Sequence, residues 1–386
     1  METLYDWTPV FRLMILGLLI ASGPLLWVWM RSRGAGTAQR LRALTGLTLF
    51  LTFDLVLFGA FTRLTDSGLG CPDWPGCYGA ASPIGAHADI AAAQAAMPTG
   101  PVTFTKAWIE MIHRYLATAV GVLILVMAVV SVLERRRNPA MPVLWPVLTL
   151  VWVCLQGAFG ALTVTMKLFP AIVTLHLLGG LMLLALLRLQ AVRYGEADRL
   201  SQQAAATPPA LRLALWGLLA LVVMQVALGG WVSTNYAVLA CRDFPTCQGS
   251  WWPPMDWARG FELWRPLGAQ GSGDALPFAA LTAIHYAHRL FAYVVLAALL
   301  GVGWALWRRE LRAHARWLWA LAAWQLLTGL SNVVLEWPLL AAVAHTGGAA
   351  ALVTLLAGWI AAAYPARVGW TGAAPPVAPT WREGRA

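Results

Sequence analysis

Four histidines lie at repeated positions in apolar stretches of the sequence, where ionisable side chains are costly and therefore rare. The stretches IEMIHRYLA and AIHYAHRLFAY place His113 and His288 directly before an arginine. About sixty residues after each of them, His176 and His345 lie near the start of another apolar stretch. Neutral imidazole is a frequent metal ligand, and haem iron takes axial histidines from facing helices of a bundle. The spacing therefore predicts two haem sites, one for each pair of histidines.

Two other interpretations of these histidines stay open on the residues alone. A zinc site would need additional ligands from nearby cysteine, histidine or aspartate residues. A single histidine in a membrane helix can also simply make a polar contact with a neighbouring helix. The recurrence of the pattern in both parts of the chain favours haem.

Arginines accompany the histidines. Arg114 and Arg289 directly follow theirs, and each can either extend to the membrane surface or bind the carboxylates of a tetrapyrrole through charge-assisted hydrogen bonds. Both interpretations are open, and the repetition favours the tetrapyrrole. Arg63, at the outer end of an earlier apolar stretch, is a weaker candidate for the same role.

Glu110 marks the main difference between the two stretches. It lies one helical turn before His113, where the other stretch has His285 before His288. A carboxyl group at the edge of an apolar pocket can act as an acid or stabilise a developing cation, although Glu110 can also be a solvated residue at the membrane surface. We expect chemistry in the first half. The second half, with His285 among its cofactor-binding residues, would store or relay electrons.

The composition indicates a membrane protein. Of the 386 residues, 59% are hydrophobic and only 11% are charged, whereas soluble domains usually carry about 25% charged residues. The net charge of +10 at pH 7 comes from arginines in short clusters between apolar runs. Such clusters typically mark cytoplasmic loops, so the charge does not indicate nucleic-acid binding.

Nine apolar segments are long enough, at about 20 residues, to span a bilayer. They lie near 9–30, 43–63, 107–132, 142–165, 170–190, 210–233, 278–303, 315–335 and 339–363. The first segment lacks the features of a cleaved signal peptide, because Glu2 and Asp6 precede it and no small-residue cleavage pattern follows. We expect it to be an extra membrane helix.

Arginine-rich loops follow the first, third, fifth and seventh segments, and further arginines lie in the C-terminal tail. Because Lys and Arg concentrate on the cytoplasmic side, the tail is predicted to be cytoplasmic and the N-terminus periplasmic. The predicted location is the inner (plasma) membrane of a bacterium, with multiple passes.

Four of the five cysteines form two pairs with identical spacing in the long outer loops. Cys71 and Cys77 lie in the loop 64–106, and Cys241 and Cys247 lie in the loop 234–277. Disulfides persist in oxidising compartments such as the periplasm, in agreement with the predicted orientation. Each pair can be a structural disulfide or a redox pair above a haem. The structural interpretation is favoured because neither pair has C-x-x-C spacing. Cys154, within an apolar run, is predicted to be a small core residue.

Eight of the nine segments form two sets of four. The stretches GAFTRLTDSGLGCPDWPGC and GGWVSTNYAVLACRDFPTC each close the first span of a set and open its outer loop. Because each set has an even number of spans, the sets should be related by a pseudo-two-fold axis along the membrane normal. The predicted fold is an all-α polytopic membrane protein with two tandem four-helix bundles and one extra N-terminal helix. The predicted units are 1–42 (extra helix and cytoplasmic loop), 43–200 (first repeat), 208–366 (second repeat) and 367–386 (cytoplasmic tail).

In combination, these motifs resemble haem A synthase, the membrane enzyme that converts haem O to haem A for cytochrome oxidases. The motifs are GAFTRLTDSGLGCPDWPGCYG, Glu110-x-x-His113-Arg114, His176, His285-x-x-His288-Arg289 and His345. The resemblance covers about residues 43–365. The extra N-terminal span departs from the family's common eight-helix pattern, which points to a proteobacterial type with an added helix.

The resemblance implies a role for each motif. His288 and His345 would ligate a bound haem b in the second repeat, while His113 and His176 would flank the iron of the substrate haem O in the first. Glu110 would be the catalytic acid and could stabilise a carbocation at the methyl carbon. The family reaction oxidises a haem methyl group to a formyl group through hydroxylated intermediates, with oxygen taken from water. The paired cysteines resemble a pair proposed to assist electron or haem handling in some members.

The implied partners are haem O, the membrane lipid and a protohaem farnesyltransferase, and the sequence leaves a homo-oligomer open. Two other function classes compete with this interpretation. A di-haem b-type cytochrome that exchanges electrons with quinone accounts for four histidines, but gives no reason for Glu110 at the position of His285. A transporter with a histidine proton relay leaves the outer loops with their cysteines without a role.

Overall fold

The computed structural model of the protein describes residues 8–139, 141–194, 207–265 and 275–364. These ranges contain helices and connecting loops, which confirms the all-α prediction. The helices are α1 (Thr8–Arg31), α2 (Thr37–Leu64), α3 (His87–Ala96), α4 (Phe104–Arg135), α5 (Leu144–Thr165), α6 (Pro170–Arg193), α7 (Pro209–Thr234), α8 (Trp257–Gly260), α9 (Phe278–Trp307), α10 (Arg312–Val334) and α11 (Leu339–Ala363). The predicted tail, 367–386, lies outside the described residues.

Among these helices, eight are long and apolar enough to cross a membrane, namely α1, α2, α4, α5, α6, α7, α9 and α11. The chain is therefore a multi-pass membrane protein. The remaining predicted span, 315–335, coincides with α10, which has 23 residues but a less apolar sequence. It nevertheless packs along both α9 and α11. The polar residues Arg312, His314 and Arg316 at its start lower its apolarity, whereas its later side chains Trp317, Trp324 and Leu327 are apolar and exposed.

The long helices form two rings of four. In the first ring α2 packs on α4, α4 on α5, α5 on α6 and α6 back on α2. In the second ring α7, α9, α10 and α11 pack in the same order. The rings meet through α6 with α11, through α2 with α11, and through α6 with α7. In the repeat α2 corresponds to α7, and α6 corresponds to α11. The contact of α2 with α11 is therefore equivalent to the contact of α7 with α6. Helix α1 lies outside the first ring, against α4 and α2.

The interiors of the two rings differ in polarity. In the first ring Gln190 donates to the hydroxyl of Thr45 at 3.1 Å and accepts from the hydroxyl of Thr149 at 3.2 Å. All three residues are buried and come from α6, α2 and α5. At the sequence positions that match Thr45 and Thr149 in the repeat, the second ring has Leu215 and Leu318. Both leucines belong to an apolar cluster. At these matched positions, polar contacts therefore join helices only in the first ring.

Each outer loop starts with a small turn closed by a disulfide. Cys71 bonds to Cys77, and Cys241 bonds to Cys247, so the predicted pairings are confirmed. In both turns the second cysteine forms an isolated bridge with the residue three positions later. The intervening glycine, Gly79 in the first turn, has a φ of +70°, a conformation that glycine adopts without steric cost.

An aspartate organises each of these turns. The carboxylate of Asp73 accepts hydrogen bonds from the backbone N–H groups of Tyr78 and Gly79, at 2.6 and 2.7 Å. Asp243 does the same in the second loop, at 2.7 and 3.0 Å. Partial burial would raise the pKa of Asp243, but hydrogen bonds from the Thr246 hydroxyl and from backbone N–H groups outweigh it and lower this pKa to about 2.

Candidate functional site

Each of the four repeated histidines lies against a glycine of the preceding long helix. The pairs, with the distance from a Cβ added at the glycine to the nearest ring atom, are Gly59 with His113 (3.0 Å), Gly160 with His176 (3.5 Å), Gly229 with His288 (2.9 Å) and Gly329 with His345 (3.1 Å). A larger residue would displace the imidazole at three of the four positions. The glycines thus allow each imidazole to approach the backbone of a neighbouring helix closely.

The histidines of the second ring face each other. The ring centres of His288 and His345 are 6.5 Å apart, with their planes at 84°. Two ligands on opposite sides of one iron would have ring centres about 6 to 6.5 Å apart, given metal–nitrogen bonds of about 2 Å. Gln225 lies 3.1 Å from Nδ1 of His288, and the Thr328 hydroxyl lies 2.9 Å from Nδ1 of His345. A polar partner at the second nitrogen is what orients a ligating imidazole.

The first ring holds the other pair. His113 stacks on Phe58 with ring centres 6.3 Å apart, and it is close enough to His176 for the two imidazoles to interact electrostatically. Nδ1 of His176 is buried without a hydrogen-bond partner, as is Oε1 of Gln156 on the preceding helix. Unpaired buried polar atoms are uncommon in folded proteins. They fit a pocket that is completed by a bound group.

The donor set fits haem better than a protein-only metal site. Within the described ranges, no group of three or more His, Cys, Asp or Glu side chains is placed to hold a metal ion. Each ring instead supplies one pair of repeated histidines, and two is the number of axial positions of a haem iron. All four lie about two to three turns from the N-terminal ends of their helices.

Glu110 is bound to the outer loop. It is only 4% exposed, and its Oε2 accepts a hydrogen bond from the backbone N–H of Cys71 at 2.8 Å. Its other oxygen forms an ion pair with Arg114. Arg114 in turn donates to the backbone carbonyls of Asp73, Pro75 and Gly76. The carboxylate, the arginine and the turn closed by the disulfide are therefore one connected unit.

The second ring repeats this unit with a histidine in place of the glutamate. His285 lies 3.0 Å from the carbonyl oxygen of Ala237 through Nδ1, and Arg289 lies 3.4 Å from its Nε2. Arg289 also donates to the carbonyls of Cys241, Asp243 and Thr246. Both arginines hold loop carbonyls, and their binding of tetrapyrrole carboxylates stays a prediction.

Arg63 joins the two rings at their outer ends. It donates to the carbonyl of Ser233 at 2.6 Å, pairs with Asp66 at 3.1 Å and lies 4.3 Å above the ring of Tyr236. The hydroxyl of Tyr236 closes the set with a 3.0 Å bond to Asp66. The structure thus gives Arg63 a contact between the rings, and its weaker candidacy for haem binding also stays a prediction.

One minor prediction is wrong. Cys154 is an exposed free cysteine and not a core residue, because its side of α5 faces away from the ring. Two kinds of residue were missed from the sequence. The aspartates Asp73 and Asp243 occupy the same place in each Cys-x-Asp-x-Pro-x-Cys motif, a signal that the repeat contained. The glycines that contact the histidines were also missed, because these contacts depend on helix packing. Their only signal in the sequence is that the glycines recur in both repeats.

The chain matches the family model described as COX15-CtaA, cytochrome oxidase assembly protein, over residues 42–357. It is 38% identical over 321 residues to the haem A synthase of Shewanella oneidensis, a match that covers 82% of this chain and 95% of the relative. It is 28% identical to that of Symbiobacterium thermophilum, with 80% and 90% covered. It is 26% identical to that of Hyphomonas neptunium, with 78% and 86% covered. The predicted resemblance is confirmed: the chain belongs to the COX15-CtaA family of cytochrome oxidase assembly proteins.

Proposed function

We propose that the protein is a haem A synthase, which oxidises a methyl group of haem O to a formyl group. Family membership and the relatives named haem A synthase support this function. The observation that carries it is the difference between two otherwise matched pockets: Glu110 is buried beside His113, where the second ring has His285. A pure electron carrier would have no use for this difference.

The residues of the first ring would hold the substrate. His113 and His176 would flank the iron of haem O, so that the porphyrin lies within the ring and below the disulfide-closed turn. Removing electrons from the methyl carbon develops positive charge there, and the Glu110 carboxylate can stabilise that charge and accept protons. Its bonds to Cys71 and Arg114 hold it in one orientation before the reaction starts.

The residues of the second ring would hold haem b. The distance between His288 and His345 supports ligation of one iron by both, and Gln225 and Thr328 would orient the two imidazoles. A haem b bound there can accept and pass on electrons one at a time. His285 and Arg289 would keep the second outer loop closed over this pocket, as Glu110 and Arg114 do over the first.

The proposal includes a membrane orientation. The N-terminal end of α1 packs near the Cys71–Cys77 turn, so the two lie on the same side of the membrane. The opposite ends of α6 and α11 meet where Arg193 donates to the carbonyl of Tyr364. Disulfides indicate an oxidising compartment for the first side, and arginine-rich loops indicate cytoplasm for the second. We infer the inner membrane of a bacterium, with haem O supplied by the farnesyltransferase that makes it.

The two rings are proposed to be repeats, 43–200 and 208–366, related by a pseudo-two-fold axis along the membrane normal. Their support is the matched order of helix contacts, the four histidine–glycine pairs and the two aspartate-organised turns. The units fit a duplication followed by specialisation of the first pocket.

The function is tested by extracting pigments from cells that make haem O, with and without this protein. Chromatography should show haem A only when the protein is present. The purified protein should also show b-type haem absorbance. Haem O that stays unconverted while b-type absorbance is present would identify the protein as a di-haem cytochrome and overturn the proposal.

A further inference from the structure

Helix α1 contacts both parts of the unit that holds Glu110, although it lies before the residues matched by the family model. Leu13 is buried in a cluster with Cys71, Cys77 and Met111. At the N-terminal end of the helix, Pro9 lies 3.5 Å from the position that a Cβ on Gly76 would occupy. The carbonyl of Gly76 accepts a 2.6 Å hydrogen bond from Arg114. One helix therefore touches the turn directly behind the Arg114 contact.

The same helix approaches α4 closely at Gly17. A Cβ added there would lie only 2.5 Å from Cγ2 of Thr118, so glycine is required for this approach. The hydroxyl of Thr118 donates to the backbone carbonyl of Arg114 at 2.8 Å. Below this point Ala21 is fully buried against α4. Contact thus continues along α1 from the outer loop into the membrane.

The second ring has no such cover among the described helices. Ala119 lies six residues after His113, and Val294 lies six residues after His288, at the matching position of the repeat. Ala119 is 5% exposed, whereas Val294 is 51% exposed. The face of α9 that corresponds to the α1-covered face of α4 is therefore open. The added helix is specific to the ring that carries Glu110.

We propose that α1 is a positioning element for the first pocket, which fixes the Cys71–Cys77 turn relative to α4 and so fixes Glu110 and Arg114. The predicted effect on catalysis rests on the proposed function. The restraint of the turn by α1 is independent of that function. Since a displacement of about 1 Å can cost up to about 100-fold in rate, loosening this contact should slow haem A formation without emptying the second pocket.

Gly17→Leu in the full chain tests the proposal, and Gly23→Leu is its matched control. Gly23 lies on the same helix with no atom near its added Cβ. Two quantities are measured on each variant: the ratio of haem A to haem O in extracted pigments, and the rate at which a phosphine reduces each disulfide, followed by alkylation and mass spectrometry. Cys241–Cys247 serves as the internal reference for Cys71–Cys77.

Gly17→Leu should speed reduction of Cys71–Cys77 alone, lower haem A about tenfold and retain b-type absorbance, whereas Gly23→Leu should match the wild type. Gly17→Ala should show a smaller loss, and adding Thr118→Gly should reverse it by restoring the space. The proposal is overturned by unchanged reduction, by equal changes at both disulfides, or by faster reduction with normal haem A. If the wild type makes no haem A, the proposed function fails, while the reduction rates still test the contact.

Discussion

The backbone N–H of Cys71 donates a 2.8 Å hydrogen bond to Oε2 of Glu110. The carboxylate proposed to act on the substrate is therefore attached to one end of a disulfide-closed turn in the outer loop. Arg114 completes the connection, because it pairs with Glu110 and binds three carbonyls of the same turn. Opening the disulfide would loosen both partners of the carboxylate. Both the structural and the redox interpretation of these cysteines therefore predict that the state of the disulfide affects Glu110.

The two histidine pairs should have separable roles. His288→Ala should abolish the b-type absorbance of the purified protein, because one of two axial ligands is lost. His113→Ala should leave that absorbance in place and lower haem A formation about 100-fold, since the substrate loses its orientation. Absorbance spectra and pigment chromatography measure the two effects. Retention of full b-type absorbance in His288→Ala would exclude it as a ligand.

The glycine against His288 should control haem occupancy. In Gly229→Ala the new Cβ would lie 2.9 Å from Cε1 of the imidazole, and such overpacking typically costs about 1–3 kcal/mol. We expect several-fold less haem b per protein, measured by the pyridine haemochrome method. Gly217→Ala, on the same helix with open space around it, is the control. Equal amounts of haem b in the two variants would show that the contact of Gly229 with His288 does not control haem binding.

The aspartates of the turns should protect the disulfides one by one. Asp243→Ala should speed reduction of Cys241–Cys247 and leave Cys71–Cys77 unchanged, because the N–H groups of its turn lose their acceptor. Asp73→Ala should give the reverse result. Alkylation after timed reduction measures both rates in one sample. Faster reduction of both disulfides in either variant would contradict a local role.

The pH dependence of this protection follows from the lowered pKa of Asp243, which is about 2. The unperturbed value is about 3.9, so the folded turn favours the carboxylate. Its stabilising effect should be complete above about pH 4 and be lost as the pH falls through about 2. Reduction by a phosphine between pH 3 and pH 7, with Asp243→Asn as control, should show protection that is constant over the upper part of this range.

The sequence predicts the membrane helices well, because length and apolarity decide them. It also predicts the cysteine pairing and the histidine pairs, since the repeat places each motif at a fixed distance from the start of a span. It does not predict the partners of Arg114 and Arg289, because these depend on how the outer turn folds back over its helix. Nor does it locate the contact of α1 with Thr118. Gly17 has no counterpart in the repeat, and its closeness arises only on packing.

Glu110→Gln tests the central claim most directly. The substitution keeps an acceptor for the Cys71 N–H but removes the negative charge, and acid–base or charge-stabilising groups typically contribute about 10²- to 10⁴-fold to a rate. Glu134→Gln, near the opposite end of the same helix, is the control. In cells that make haem O, Glu110→Gln should accumulate haem O with haem b retained in the purified protein, whereas Glu134→Gln should still form haem A. Wild-type amounts of haem A from Glu110→Gln would contradict the account.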